Sequence, residues 1–167
     1  MSPGRPVRLT SRQHTADRET DRTTEKREHA MDPQMIFVNL PVKDLATSRG
    51  FYEKLGYTIN PQFSDDSTAC VVISDTIFVM LLTEEKFLSF TAPGKKVADA
   101  SATTQVLLTL NAESREKADE LADRALEVGG GPAKEPMDMG FMYGRSFADP
   151  DGHHWEVFWM DPAAMQG

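Results

Sequence analysis

The sequence holds one cysteine, Cys70, in 167 residues. A single thiol excludes an internal disulfide framework and fits a reducing compartment, so a cytoplasmic protein is expected. No apolar run approaches the roughly 18 residues that a membrane-spanning helix requires, so no membrane partner is expected. Basic charge is short as well. Eighteen Lys and Arg face 26 Asp and Glu, a net charge of −8. That balance argues against non-specific nucleic-acid binding, which rests on a basic surface. Apolar residues are scarce at the start of the chain: between Met1 and Met31 only Val7 and Leu9 are sizeable hydrophobic residues. Such a stretch buries too little surface to offset its ordering entropy, and residues 1–33 are expected to form a disordered tail. Residues 1–30 carry seven basic and five acidic side chains, which leaves 11 basic and 21 acidic ones, or −10, to the remainder. Its acids speak against a mitochondrial targeting peptide, and its lack of an apolar stretch against a secretory one.

Beyond the tail the hydrophobic periodicity is clear. Met35 to Val42 alternates, with Ile36, Val38, Leu40 and Val42 on one face and Phe37, Asn39 and Pro41 on the other, which predicts a strand. Asp44 is placed to cap a helix over Leu45–Leu55, and Gly56 to end it. Strands are expected at Thr58–Asn60, Thr68–Ser74 and Ile77–Thr83, then a short helix over 84–90 and a linker over 91–103. The same order then recurs. Gln105–Leu110 reads as a strand. Asn111 or Ser114 caps a helix with the stripe Ala118, Leu121, Ala122, Ala125 and Leu126, ended by Gly129-Gly130-Gly131. Strands near Ala133–Glu135, Met142–Ala148 and His153–Met160 complete the second unit. The glycine run follows a helix instead of opening one, so it is not a phosphate loop. The expectation is an α+β domain over 34–162, built from two βαβββ modules at about 34–90 and 103–162.

Two segments carry a resemblance. Val38-Asn39-Leu40-Pro41-Val42-Lys43-Asp44-Leu45, followed by Phe51-Tyr52-Glu53-Lys54-Leu55-Gly56-Tyr57, resembles the vicinal oxygen chelate superfamily. So does Asp149-Pro150-Asp151-Gly152-His153-His154-Trp155-Glu156. The superfamily includes glyoxalase I, extradiol dioxygenases and bleomycin-resistance proteins. The resemblance spans roughly residues 35–160. It implies two modules whose curved sheets enclose a cavity, commonly in a homodimer. In the metal enzymes of the superfamily, one ligand comes from the first and one from the last strand of each module, and together they hold a divalent metal.

Matched residue by residue, the resemblance places Glu156 and Gln105 at the ligand positions of the second module. In the first module those positions fall on Phe37 and on Met80 or Leu81. Neither Phe nor Leu binds a hard cation, and a thioether is a soft ligand. The implied metal site is therefore incomplete. Strand alternation puts Trp155, Val157 and Trp159 on the core face, and leaves His154, Glu156 and Phe158 to the cavity. Glu156 is the candidate ligand or general base, since an unpaired carboxylate in a cavity has a raised pKa. Phe37, Asn39, Met80, Gln105, Tyr143, Arg145, His154 and Phe158 are the candidate substrate contacts. Asn39 or His154 would supply a displaced ligand. Gln105 equally suits an ordinary cross-strand hydrogen bond. Tyr143 and Arg145 equally suit a structural role, with Arg145 paired to an acid.

Among the remaining residues, Met137 and Met139 are expected to fill core gaps, and His153 to be a half-exposed residue beside a turn. Asp149-Pro150-Asp151-Gly152 suits a type I turn, and Cys70 a buried, inert thiol. Three functions follow from these readings. One is an enzyme, either a glyoxalase-like lyase or a dioxygenase relative. The second is a metal-free drug- or toxin-binding module. The third is a sensing or interaction domain whose cavity is filled by side chains.

Overall fold

The computed structural model describes residues 34–165; the expected tail lies outside them. The first module runs β1 (Ile36–Val42), α1 (Leu45–Leu55), β2 (Thr58–Asp65), β3 (Thr68–Val72) and β4 (Ile77–Thr83), followed by the short helix α2 (Glu84–Ser89). The second runs β5 (Leu107–Asn111), α3 (Arg115–Glu127), β6 (Gly131–Pro132), β7 (Met137–Asp138), β8 (Met142–Ala148) and β9 (His154–Met160), with a 3-10 turn at Pro162–Met165. In each module the first strand pairs parallel with the last. The sheet orders are β1-β4-β3-β2 and β5-β9-β8-β6, with β7 also on β8. The α+β plan of two βαβββ modules is therefore present.

Local chemistry sets the element ends. Asp44 caps α1 by accepting from the Thr47 N–H at 2.7 Å, and Ser114, not Asn111, caps α3. The structure differs from the periodicity in several places. β2 runs on to Asp65 through a register shift between Asn60 and Asp65, where Pro61 has no N–H to give the ladder. The strand expected at Ala133–Glu135 is instead the two short pieces β6 and β7, split by a loop that ends on Pro136. β5 starts at Leu107, which leaves Gln105 outside it. Leu126 lies on the exposed side of α3, whose buried residues are Ala118, Ala122 and Ala125.

One core serves both modules. Leu40, Val42, Val79 and Leu81 of the first sheet meet Phe51, Tyr52 and Leu55 of α1; Phe147, Trp155 and Val157 of the second sheet meet the three alanines of α3. The alanines let helix and sheet approach closely, while aromatic rings fill the space between modules. Phe147 stacks on Trp155 with centroids 6.3 Å apart, and Tyr52 meets Trp155 edge-on at 6.0 Å. Each such ring removes 150–250 Å² from water, by the usual area of about that size.

Polar bonds fix the register of the modules. The Tyr52 hydroxyl donates to Asp149 Oδ2 at 2.7 Å and accepts from Trp155 Nε1 at 3.0 Å. Asp149 Oδ1 accepts from the Asp151 and His153 N–H groups at 3.0 and 2.9 Å. Asp151 accepts from Ser48 Oγ at 2.6 Å and from the Lys43 N–H at 2.7 Å. His153 Nε2 donates to the Pro41 carbonyl at 2.8 Å. The Gly152 N–H to Asp149 carbonyl bond closes the expected turn. His153, however, is buried and not half-exposed, because its ring spans the module boundary.

Burial pushes the Asp149 carboxyl up; the His153 charge and the Tyr52 hydrogen bond pull back without cancelling it. Burial, then the Asp149 charge, pushes the Tyr52 hydroxyl well up, so it remains a donor. A folded state that holds the Asp149 proton more tightly gains stability below the ordinary carboxyl value of about 3.9, and that gain is lost as pH rises through the raised value. Asp149→Ala should lower the unfolding free energy by about 2–4 kcal/mol in urea titration, since it strands a buried hydroxyl and two turn N–H groups. Measured from about pH 3 to about pH 7, the stability of the wild type relative to Asp149→Asn should fall as pH rises.

Candidate functional site

Most of the candidate residues lie on the sheet faces opposite the core. Parallel pairing sets Asn39 against Met80 and Phe37 against Phe78 in the first module. It sets Thr109 against Glu156 and Leu107 against His154 in the second. Phe37 stacks on Phe78 with centroids 5.0 Å apart, yet is 45% exposed. Leu107 is 52% exposed. Glu156 is half-buried and takes a 3.3 Å hydrogen bond from Thr109 Oγ1. The Phe158 ring covers Gly144, where a Cβ would come within 2.4 Å of it.

A cavity of about 310 Å³ opens where β1 approaches the start of β9. The body of the protein contributes Asn39, Pro41, Phe87 and His154; the inter-module linker contributes Lys96, Ala98, Ala100, Thr103, Thr104 and Gln105. None of its lining side chains is acidic, although the chain as a whole is acidic. His154 Nε2 is buried and has no hydrogen-bond partner. An unpaired buried polar atom is costly to keep. The linker rests on Gly152, where a Cβ would lie 2.7 Å from the Ser101 nitrogen. It is tied back by the exposed Lys43–Asp99 pair at 3.4 Å. Asp99 caps a turn within the linker by accepting from Ser101, and that turn shapes the cavity wall.

The structure thus gathers Asn39, Gln105 and His154 around one cavity. Phe37, Met80, Glu156 and Phe158 share the outer sheet faces but do not line it. Gln105 lies four residues before Thr109, the partner of Glu156, which is about 13 Å of extended chain. The two residues matched to the second-module ligand positions are therefore apart. Among the described residues no three His, Cys, Asp or Glu side chains converge as a metal site. The positions facing one another across the two central strand pairs are Asn39, Met80, Thr109 and Glu156. Only one of these is an anionic oxygen ligand, so the set does not fit a hard divalent ion.

Tyr143 and Arg145 require a correction. Both point to the helix side of β8, away from the outer face. The Tyr143 hydroxyl donates to Asp119 at 2.7 Å, and Arg145 pairs with Asp119 and with Asp123, the latter at 2.6 Å. Partial burial pushes the Asp119 carboxyl up, but the Tyr143 and Arg145 hydrogen bonds outweigh it and hold the carboxyl below its ordinary value. The structural reading of these residues prevails because α3 brings its acids over β8. Met139, expected in a core gap, is instead 54% exposed. Cys70 is buried, and burial pushes its thiol up.

The residues that sequence reasoning missed are Phe87, Lys96, Thr103 and Thr104 of the cavity wall. They lie on the short helix and the linker, where no periodicity marks a wall.

A model of the bleomycin resistance protein-like N-terminal family matches residues 34–74. Among curated proteins, none matches the chain. A hypothetical protein from S. aureus is 28% identical, with a TM-score of 0.65, over 80% of this chain and 98% of its own. A glyoxalase/bleomycin resistance protein/dioxygenase family enzyme from Burkholderia phytofirmans PsJN is 16% identical, with a TM-score of 0.65, over 76% and 98%. A fosfomycin resistance protein from Mesorhizobium loti is 16% identical, with a TM-score of 0.58, over 82% and 100%. The fold is that of glyoxalase/bleomycin resistance proteins. The family match covers the first strand and helix and part of the sheet of the first module, residues 34–74, and the likeness of the whole chain is one of fold.

Asp119→Asn should reduce stability near neutral pH. A carboxyl lowered on folding contributes above the ordinary value of about 3.9, and that contribution is lost as pH falls through the folded value. Urea midpoints of wild type and variant should therefore converge in acid.

Proposed function

We propose that this is a small-molecule-binding protein of the bleomycin-resistance kind, which holds its ligand in the cavity between modules without a hard divalent metal. The observation that carries the reading is the occupancy of the facing central-strand positions by Asn39, Met80 and Thr109 beside the one carboxylate, Glu156. The acid-free cavity and the unpartnered His154 Nε2 support it. In this reading Asn39, Gln105 and His154 orient the ligand by hydrogen bonds, and Phe87 supplies apolar contact. The likeness to a bleomycin resistance protein-like family and to a fosfomycin resistance protein supports a drug or toxin as the ligand class.

One observation favours a second reading, a glyoxalase-like lyase or dioxygenase relative: Glu156 keeps a carboxylate on the outer face of β9, bonded to Thr109. We further propose a homodimer in the cytoplasm. Phe37 and Leu107 leave apolar surface on both outer faces, and a second copy would cover it.

Nickel, zinc and iron(II) titrations of the purified chain should show no stoichiometric binding. Tight one-to-one binding abolished by Glu156→Ala would favour the enzyme instead. A thermal-shift screen of antibiotics that includes bleomycin and fosfomycin should give a stabilising compound. His154→Ala should weaken that compound about tenfold, the loss of roughly one hydrogen bond to a buried group. Light scattering should give twice the 18.6 kDa chain mass for the homodimer.

A further inference from the structure

Four of the nine methionines come together at the far end of the second sheet. β7 pairs antiparallel with β8, Met137 against Gly144 and Asp138 against Tyr143. The ladder continues across a tight turn at Gly140-Phe141, where Gly140 has φ +80° and the Met139 N–H donates to the Met142 carbonyl at 2.9 Å. A two-residue hairpin with glycine first suits that φ. Met139 is therefore opposite Met142. Met142 is in turn opposite Met160 on β9.

Directly opposed residues project to the same side of a sheet, and residues two apart do too. Met137, Met139, Met142 and Met160 consequently share one face. Gly144 and Phe158 mark it as the outer face: the Met137 methyl lies 3.6 Å from where a Gly144 Cβ would be.

The opposite face of the same hairpin shows how it is held. Arg115 grips both carboxylate oxygens of Asp138, at 2.6 and 2.9 Å, and the Gly140 carbonyl at 2.7 Å. Its guanidinium lies over the rings of Tyr143 and Trp159, at 5.1 and 5.2 Å. The Asp161 N–H to Phe141 carbonyl bond, at 2.8 Å, anchors the turn to the end of β9. The four thioethers thus stand on a braced backbone, with neighbouring Cβ atoms about 4.5–5.5 Å apart by ordinary sheet geometry. Packing alone does not account for them, since Met139 is 54% and Met160 40% exposed.

We propose that this face is a binding site for a soft monovalent cation, copper(I), with Met137, Met139, Met142 and Met160 supplying thioether ligands. A neutral, polarizable sulfur is a poor ligand for hard ions and a good one for copper(I). The site is separate from the inter-module cavity, and the proposal does not rest on the ligand reading above.

The test uses the full chain carrying Cys70→Ala, so that its thiol does not compete. Copper(I), kept reduced and competed with bicinchoninate, should bind at one equivalent. Silver(I), its redox-inert stand-in, should move the methyl NMR signals of these four methionines and leave that of Met80 in place. Met139→Leu with Met142→Leu keeps the apolar volume and should weaken copper(I) binding at least tenfold; Met80→Leu should not. Circular dichroism confirms that the variants fold. Absence of one-equivalent binding, or binding that survives the double leucine substitution, would overturn the proposal. So would a face that takes up an apolar dye equally well in both forms and no silver.

Discussion

The arrangement depends on two carboxylates buried at the turn before β9. Asp149 and Asp151 stand where one module meets the other, and taking a carboxylate out of water costs several kcal/mol unless its lone pairs are met. Here they are met by a tyrosine hydroxyl, a serine hydroxyl and three backbone N–H groups. Two hydroxyls and one N–H come from the first module, so the turn is satisfied only when the modules are docked. The same bonds set the start of β9. That determines which of its residues look inward, which outward, and where His154 falls relative to Asn39.

The helix sides of both sheets are committed to the shared core, and chemistry is left to the outer faces and the seam. Bulky apolar groups occupy much of the outer faces: the Phe37–Phe78 stack in one module, and Phe158 with the methionines in the other. The seam is different. It is roofed by the linker, and its walls offer amides, hydroxyls and imidazole without a carboxylate. That combination suits recognition of a polar organic molecule better than hard-metal chemistry.

Much of the fold could be read from residue patterns, since strand alternation in 35–42 and 142–160 and the helix stripes are strong periodic signals. The misplaced boundaries fall where proline or glycine interrupts the ladder, as at Pro61 and Gly131–Pro136. The candidate site was less readable. Alternation assigned His154, Glu156 and Phe158 to the right side of β9, because parity depends only on one strand. For Tyr143 and Arg145 the residue types left a ligand contact and a structural pairing equally open, because an arginine on a strand declares no partner until α3 lays Asp119 and Asp123 over it. Asp149-Pro150-Asp151-Gly152 reads as a type I turn, but the burial of its acids is not legible locally, since their donors Tyr52 and Ser48 lie about a hundred positions away. Gln105 was placed beside Glu156 by a pattern match that ignored register.

The division of donors and acceptors between the modules has a consequence for how such a chain changes over time. The turn in the first module that corresponds to 149–152, at Ser74–Thr76, carries no buried acid. The two halves have become non-equivalent partners, one a lock and one a key, so neither half can replace the other by recombination. A substitution at Tyr52 or Ser48 therefore removes a donor from an acid on the far half of the polypeptide.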